Sequence, residues 1–278
     1  MSRFTFSQVD VFTSVPLLGN PLAVVHGADA LDEATMQAFA RWTHLSETTF
    51  LLAPTDPLAD YRVRIFTPDG ELPFAGHPTL GSCHAWLEQG GAPRRAGEVV
   101  QQCAVGRIRV RRDGARLAFA APPLDSRPVP ADIAAAALEA LGIEPARAVD
   151  ARWLRNGPDW LGLLVDSAGT VLAAEPDGQR MKAFATVGVI GPHPAGSPCA
   201  FEVRGFIGGA AGYEDPVTGS LNAGFAQWLI GSGRAPAVYV AAQGTRLARA
   251  GRIHIAADGD TVWVGGDSVT CIRGDVTL

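Results

Sequence analysis

Apolar and polar residues alternate in many short stretches of this chain, a period of two that is typical of half-buried β-strands. The pattern predicts strands at residues 4–12, 22–25, 47–52, 61–67, 99–110, 116–120, 160–165, 201–206, 252–256 and 261–265. Apolar residues at helical spacing predict helices at 33–42, after the N-cap residue Asp32, and at 78–89, 131–141 and 221–230. Short strands combined with a few helices favour an α+β fold.

One seven-residue turn occurs twice in the chain. It reads Glu-Leu-Pro-Phe-Ala-Gly-His at 71–77 and Glu-Asp-Pro-Val-Thr-Gly-Ser at 214–220, 143 residues later. Its surroundings repeat in the same order, because Val-Arg-Ile-Phe at 63–66 matches Val-Arg-Gly-Phe at 203–206. A repeat of nearly half the chain predicts two similar lobes rather than a solenoid. We expect an N-terminal lobe at 1–122, joined by 268–278, a C-terminal lobe at 123–267, and a proline-rich linker within 121–130.

Each repeated turn precedes a helix that carries almost no charge on any face, so each lobe is expected to bury a central helix. Pro78 suits the first helical position, which predicts His77 as the N-cap of the first helix and Ser220 as the N-cap of the second. Such helix N-termini attract anions, and two of them facing one cleft would hold a carboxylate or a developing oxyanion. The alternative is that both turns only cap their helices.

Composition narrows the classes of partner. The chain has 278 residues and a net charge of −5, and its basic residues are scattered, so nucleic acid is not an expected partner. Neither a membrane span nor a secretory signal is evident, which predicts a cytoplasmic protein. The four cysteines lack metal-ligand spacing and are expected to be reduced and mostly buried. His77 and His84 lie seven residues apart, too far for a two-histidine metal site, so no metal is expected.

Five segments together resemble one known family. The segments at 9–12, 19–25, 45–50, 75–81 and 214–220 are similar to those of the PhzF-like isomerases of phenazine biosynthesis, within the diaminopimelate epimerase-like fold superfamily. The resemblance extends from near residue 9 to about residue 255. It implies two pseudo-symmetric lobes, each a barrel-like, mostly antiparallel sheet wrapped around a central apolar helix. It also implies an active site between the lobes, proton transfer without a cofactor, and usually a homodimer.

The same resemblance implies the site residues. In that family a single glutamate moves the proton, and the matching residue here is Glu47. In an apolar cleft its charged form would be desolvated and its pKa raised toward the working pH, although a strand glutamate is more often solvated. Asp215 would relay a proton or orient the histidine of the first turn. The other residues implied at the cleft are His77 and Ser220, Gly76 and Gly219 where the backbone approaches the ligand, and Asn20, whose Gly-Asn-Pro context is first of all a turn sequence.

The chain departs from the related racemases and epimerases at two positions. Those enzymes place a cysteine directly before the glycine of each repeated turn, where this chain has Ala75 and Thr218. Cys83 would lie roughly 10 Å along the helix from His77, too far to replace either thiol. We therefore expect a cofactor-independent isomerase that moves a proton on a small carboxylate-bearing substrate. The alternatives are a non-catalytic protein that binds a small ligand or partner and, with less support, a racemase or epimerase. Substrate choice is expected to depend on loops such as 186–198.

Overall fold

The computed structural model describes residues 2–208 and 212–278. It divides the chain into two compact units, which we call the first lobe, Met1–Ala120 with Gly265–Leu278, and the second lobe, Ala121–Val264. In the part of the chain that is described, no helix combines the length and the apolar character needed to cross a membrane.

The first lobe contains two helices and a sheet that the C-terminal strand completes. Its elements are β1 (Arg3–Val11), β2 (Asn20–Val25), α1 (Glu33–Thr43), β3 (Glu47–Leu52), β4 (Tyr61–Phe66), β5 (Glu71–Leu72), α2 (Gly76–Glu88), β6 (Glu98–Cys103), β7 (Gly106–Asp113) and β8 (Arg116–Ala120). The Asp32 side chain accepts the Thr35 N–H at 2.8 Å, which confirms the predicted N-cap of α1.

The second lobe repeats this succession after one additional strand and helix. Its elements are β9 (Asp125–Pro128), α3 (Ala131–Ala140), β10 (Ala148–Arg155), β11 (Asp159–Val165), α4 (Ala168–Ala173), β12 (Thr186–Pro192), β13 (Phe201–Ile207), β14 (Tyr213–Asp215), α5 (Gly219–Gly231), β15 (Val238–Gln243), β16 (Gly251–Asp258) and β17 (Thr261–Gly266). The last strand, β18 (Ser268–Thr277), runs antiparallel to β1 of the first lobe.

Strand pairing follows the same plan in both lobes. In the first, β2 and β3 are parallel, β3 and β4 antiparallel, and β4 and β6 parallel, while β18 pairs with β1. In the second, β11 and β12 are parallel, β12 and β13 antiparallel, and β13 and β15 parallel, while β9 pairs with β10. The sequence repeat is therefore a repeat of topology, and the fold is α+β with two pseudo-symmetric lobes.

The central helix of each lobe is buried, as its lack of charge predicts. Helix α2 contacts β1, β2, β3, β6 and β8, and α5 contacts β10, β11 and β16, so each sheet curves around its helix in a barrel-like manner. Gly81 permits the close packing of α2, because a Cβ at this position would lie 2.6 Å from Leu22 Cδ2 and 2.8 Å from Val11 Cγ2. The apolar faces of helix and sheet thus form one core in each lobe.

Two segments that were expected to be irregular contain strands. The predicted linker 121–130 includes β9, whose register pairs Arg127 with Trp153 of β10. The predicted loop 186–198 begins with β12, a largely buried strand. Within β12, a Cβ at Gly191 would lie 2.3 Å from the Ser167 carbonyl oxygen. This glycine is required by close packing rather than by a turn.

Candidate active site

Both repeated turns open a helix earlier than the sequence predicted. The N-cap residues are Ala75 and Thr218, so the prediction that His77 and Ser220 cap the helices was wrong. The Ala75 carbonyl accepts the Thr79 N–H at 3.2 Å, and the Thr218 carbonyl accepts the Asn222 N–H at 3.1 Å. Because these bonds start each helix, Pro78 is the third helical residue, still within the first turn where an N–H has no partner in the helix. The side chains of His77 and Ser220 are therefore not used for capping.

The first lobe brings Glu47 and His77 together although they lie 30 residues apart in sequence. Glu47 is the first residue of β3, and its Oε2 lies 3.3 Å from Nε2 of His77 in the first turn of α2. The exposed fractions of the two side chains are 15% for Glu47 and 4% for His77. Burial lowers the pKa of His77 to about 3, so the imidazole is neutral near pH 7. The pair is therefore a carboxyl group beside a neutral imidazole.

Asn20 lies on the other side of the imidazole. Its Nδ2 is 3.4 Å from Nδ1 of His77. With the amide in this orientation Nδ1 is the acceptor, which leaves Nε2, the nitrogen nearer Glu47, to carry the proton of the neutral imidazole. The preceding turn requires glycine, since a Cβ at Gly19 would lie 2.2 Å from the Val11 carbonyl oxygen. The Gly19 N–H also donates to Asp10 Oδ2 at 3.0 Å, which holds the start of β2 in place.

The buried state of His77 has a consequence for stability. In the unfolded chain, His77 binds a proton with the ordinary histidine pKa of 6.5. In the folded protein, it remains neutral until the pH approaches 3. The His77 contribution is therefore complete above pH 6.5 and is lost as the pH falls toward 3, by up to about 1.4 kcal/mol per pH unit. His77→Asn is expected to flatten this dependence, as measured by urea unfolding at pH 7, 6, 5 and 4.

The matched control is His44→Asn. His44 is exposed and has a φ of 55°, a conformation that asparagine tolerates, so this variant should retain the wild-type slope. Part of the slope is expected to persist in His77→Asn, because burial also lowers the pKa of His26 and His84. An unchanged slope in His77→Asn would contradict the neutral, buried imidazole.

The second lobe gathers Asp215, Gly219 and Ser220 around the second copy of the turn. Asp215 ends β14 and is 7% exposed, and its Oδ2 accepts the Thr218 hydroxyl at 2.6 Å. Ser220 is the second residue of α5, and its Oγ accepts the Trp160 Nε1–H at 3.2 Å. Asn156 Nδ2 donates to the Ser220 carbonyl at 2.8 Å. Gly219, as the first residue of α5, presents a backbone N–H without a side chain.

An arginine–glutamate pair holds each turn and was missed by the sequence interpretation. Arg64 donates to both carboxylate oxygens of Glu71, at 2.8 and 2.5 Å, and Arg204 does the same to Glu214, at 2.9 and 2.7 Å. Each guanidinium also lies over an aromatic ring, that of Phe66 at 5.0 Å and that of Phe206 at 4.9 Å. All of these residues lie in the repeated blocks of the sequence, so the repeat itself could have indicated the two arginine–glutamate pairs.

Other features of the surface lie apart from these residues. A cavity of about 730 Å³ in the second lobe is lined in part by Met181, Lys182 and Tyr213, and it includes none of the candidate site residues. We assign it no role in the proposed reaction, because none of the candidate site residues lines it. Among residues 2–208 and 212–278, no group of three or more His, Cys, Asp or Glu side chains could hold a metal ion.

Comparisons with known proteins agree with this architecture. The model of the phenazine biosynthesis-like protein family matches residues 9–274. The trans-2,3-dihydro-3-hydroxyanthranilate isomerase of Pseudomonas fluorescens is 32% identical over 97% of this chain and 98% of its own. Antisense-enhancing sequence 1 of Schizosaccharomyces pombe is 34% identical over 99% of both chains. The crystal structure of a PhzF-family protein from Bacillus anthracis superposes with a TM-score of 0.85 at 20% identity and covers 100% of both chains. The chain therefore belongs to the PhzC-PhzF family of phenazine biosynthesis-like proteins and is a PhzF-family isomerase.

Proposed function

We propose that this isomerase needs no cofactor and that Glu47 moves a proton between two carbons of a small carboxylate-bearing substrate. The observation that carries the proposal is the position of the Glu47 carboxyl group, which is 15% exposed and lies 3.3 Å from the neutral imidazole of His77. A carboxyl group with little access to water can serve first as base and then as acid. A carboxyl group and a neutral imidazole are thus held at one place in the fold.

One residue is sufficient for the proposed proton transfer. Glu47 removes a proton from an acidic C–H, the electron pair moves along a conjugated system, and the protonated carboxyl group, whose proton can exchange with water, delivers a proton to another carbon. Nothing is oxidised or reduced, so no redox cofactor enters the step. A two-thiol racemase is not supported, because Ala75 and Thr218 stand where it would need cysteines and neither is an acid or base near neutral pH.

The other candidate residues have supporting roles in this proposal. His77 donates from Nε2 toward Glu47 and limits its orientations, as the 3.3 Å separation permits. Asp215 relays a proton or orients a polar group. The residues proposed to bind the substrate are Asn20, Gly76, Gly219 and Ser220, the two glycines through the N–H groups of the first helical turns. A homodimeric assembly and a cytoplasmic location belong to the same proposal.

The test follows proton exchange on a defined compound. The isomerase of P. fluorescens suggests trans-2,3-dihydro-3-hydroxyanthranilate as the first substrate to examine. We expect ¹H NMR in D₂O to show conversion to an isomer, with deuterium at the carbon that receives the proton. Boiled protein should show neither change. Binding of this compound, detected by calorimetry, without conversion or exchange would contradict the proposal and favour a protein that only binds its ligand.

A further inference from the structure

The two copies of the repeat differ at three neighbouring positions, one in the strand that precedes the turn and two in the turn itself. In the first lobe, Ile65 pairs across the strands with Leu72, and the N-cap residue is Ala75. In the second lobe, the equivalent cross-strand pair is Gly205 with Asp215, and the N-cap residue is Thr218. An apolar set of three in one copy thus corresponds to a glycine, a carboxylate and a hydroxyl in the other.

The three residues of the second copy depend on each other sterically. A Cβ at Gly205 would lie 2.8 Å from the Thr218 hydroxyl oxygen and 3.4 Å from Nε2 of Gln243. A side chain as large as the isoleucine of the first copy could not fit in the same place. The glycine therefore makes room for the polar cluster that surrounds Asp215.

Gln243 determines the direction of the hydrogen bonds in this cluster. Its Oε1 accepts from the Thr218 N–H at 3.0 Å and from Asn222 Nδ2 at 2.8 Å. Its Nε2 donates to the Asp215 carbonyl at 3.1 Å and to the Thr218 hydroxyl oxygen at 2.9 Å. Three of the four bonds, those to the Thr218 N–H, Asn222 Nδ2 and the Asp215 carbonyl, would be lost if the amide were reversed, so its orientation is fixed. The Thr218 hydroxyl already accepts from Gln243, and its single proton is directed at Asp215 Oδ2.

We propose that Thr218 is a positioning residue that aims the Asp215 carboxylate and keeps it as a hydrogen-bond acceptor. The 2.6 Å separation of the two oxygens is typical of a hydroxyl that donates to a charged carboxylate. The first lobe supports the assignment, because Gln101 there donates to Thr79 at 3.0 Å and the copy without the carboxylate also lacks the hydroxyl. The predicted effect of Thr218 on turnover rests on the proposed function of Asp215. The link between Thr218 and Asp215, which is the hydrogen bond that orients the carboxylate, does not rest on it.

The link is tested first without any substrate. In ¹³C-labelled protein at pH 7, the carboxyl resonance of Asp215 is assigned by its disappearance in Asp215→Asn. Thr218→Val, which has nearly the same shape but no hydroxyl, is expected to shift this resonance, and Thr218→Ser should restore it. Thr79→Val is the matched control, since it removes a buried hydroxyl from the equivalent network of the first lobe. A resonance that is the same in Thr218→Val and in the wild type would overturn the proposal.

The second measurement is turnover of trans-2,3-dihydro-3-hydroxyanthranilate by the same variants. Loss of a hydrogen bond to a charged group predicts that kcat falls about tenfold or more in Thr218→Val with KM nearly unchanged, and that Thr218→Ser recovers most of it. If Thr218→Val lowers only the melting temperature while Asp215→Asn loses activity, Thr218 is structural and the proposal is wrong. If the wild type turns over nothing but the carboxyl resonance responds, the proposed function fails and the link between Thr218 and Asp215 stands.

Discussion

Glu47→Gln is expected to lower the rate of proton transfer by at least about a thousandfold, within the range attributed to general acid–base catalysis. Glutamine keeps the shape and the hydrogen-bonding capacity of the side chain but can neither take nor return a proton at neutral pH. His77 cannot replace it as the base that then delivers the proton, because its pKa of about 3 makes it too weak a base. The measurement is deuterium incorporation and isomer formation in D₂O, compared with the wild type at the same protein concentration.

The control for this variant is Glu144→Gln. Glu144 is exposed and its side chain makes no capping bond. The same glutamate-to-glutamine substitution at this position should therefore leave the rate within about twofold of the wild-type rate. Far-UV circular dichroism and the melting temperature establish that Glu47→Gln is folded. A folded Glu47→Gln protein that retains more than a tenth of the wild-type rate would remove Glu47 from the mechanism.

Arg204→Ala is expected to lower the free energy of unfolding by about 3–5 kcal/mol, because it leaves the carboxylate of Glu214 buried without its partner. The exposed fractions of these two side chains are 4% and 10%. Arg204 also donates to the Ala174 carbonyl at 2.6 Å and the Val171 carbonyl at 3.2 Å, so the end of α4 would lose its partner as well. Urea unfolding measures the change as a lower transition midpoint.

The chain provides a matched control in its own repeat. Arg64→Ala removes the equivalent arginine, but there the side chains of Arg64 and Glu71 are 25% and 32% exposed, and water can solvate the remaining carboxylate. We expect a loss of no more than about 1 kcal/mol. Equal losses at the two positions would show that burial does not determine the strength of these pairs.

A double variant separates the contribution of the Arg204–Glu214 ion pair to stability from the cost of leaving one buried charge without its partner. Replacement of both Arg204 and Glu214 by methionine removes the two charges together and fills a similar volume. We expect this protein to be markedly more stable than Arg204→Ala, because no uncompensated charge is left in the interior. A double variant as unstable as Arg204→Ala would assign the loss to packing and to the α4 carbonyls.

Elements whose limits are set by neighbouring residues can be predicted from this sequence, whereas elements held by distant segments cannot. The bounds of β3 and the N-cap of α1 were predicted correctly, because alternation and capping are decided by neighbouring residues. Strand β9 was missed because it lies in a proline-rich segment, which is a usual signal of a linker, and β12 was missed because nothing in its local sequence determined its conformation. Their conformation depends on β10 and on Ser167, which lie well away from them in sequence. The start of α2 was placed two residues late, because the proline rule does not distinguish the first helical position from the third, and the start of α5 was placed late by its alignment with α2.

The sequence by itself determined that the chain contains one unit twice and that each unit buries a helix with almost no charge. These properties are periodic or local, so the order of residues is enough to reveal them. Only the tertiary structure decided that Glu47 lies beside a neutral His77 and that the Thr218 hydroxyl donates to Asp215. It also decided that the Arg204–Glu214 ion pair is buried while the equivalent Arg64–Glu71 pair is partly exposed to solvent. The distance between two side chains and their burial depend on segments far apart in the chain. Because pKa values and the strength of ion pairs follow from this distance and burial, the local sequence does not reveal them.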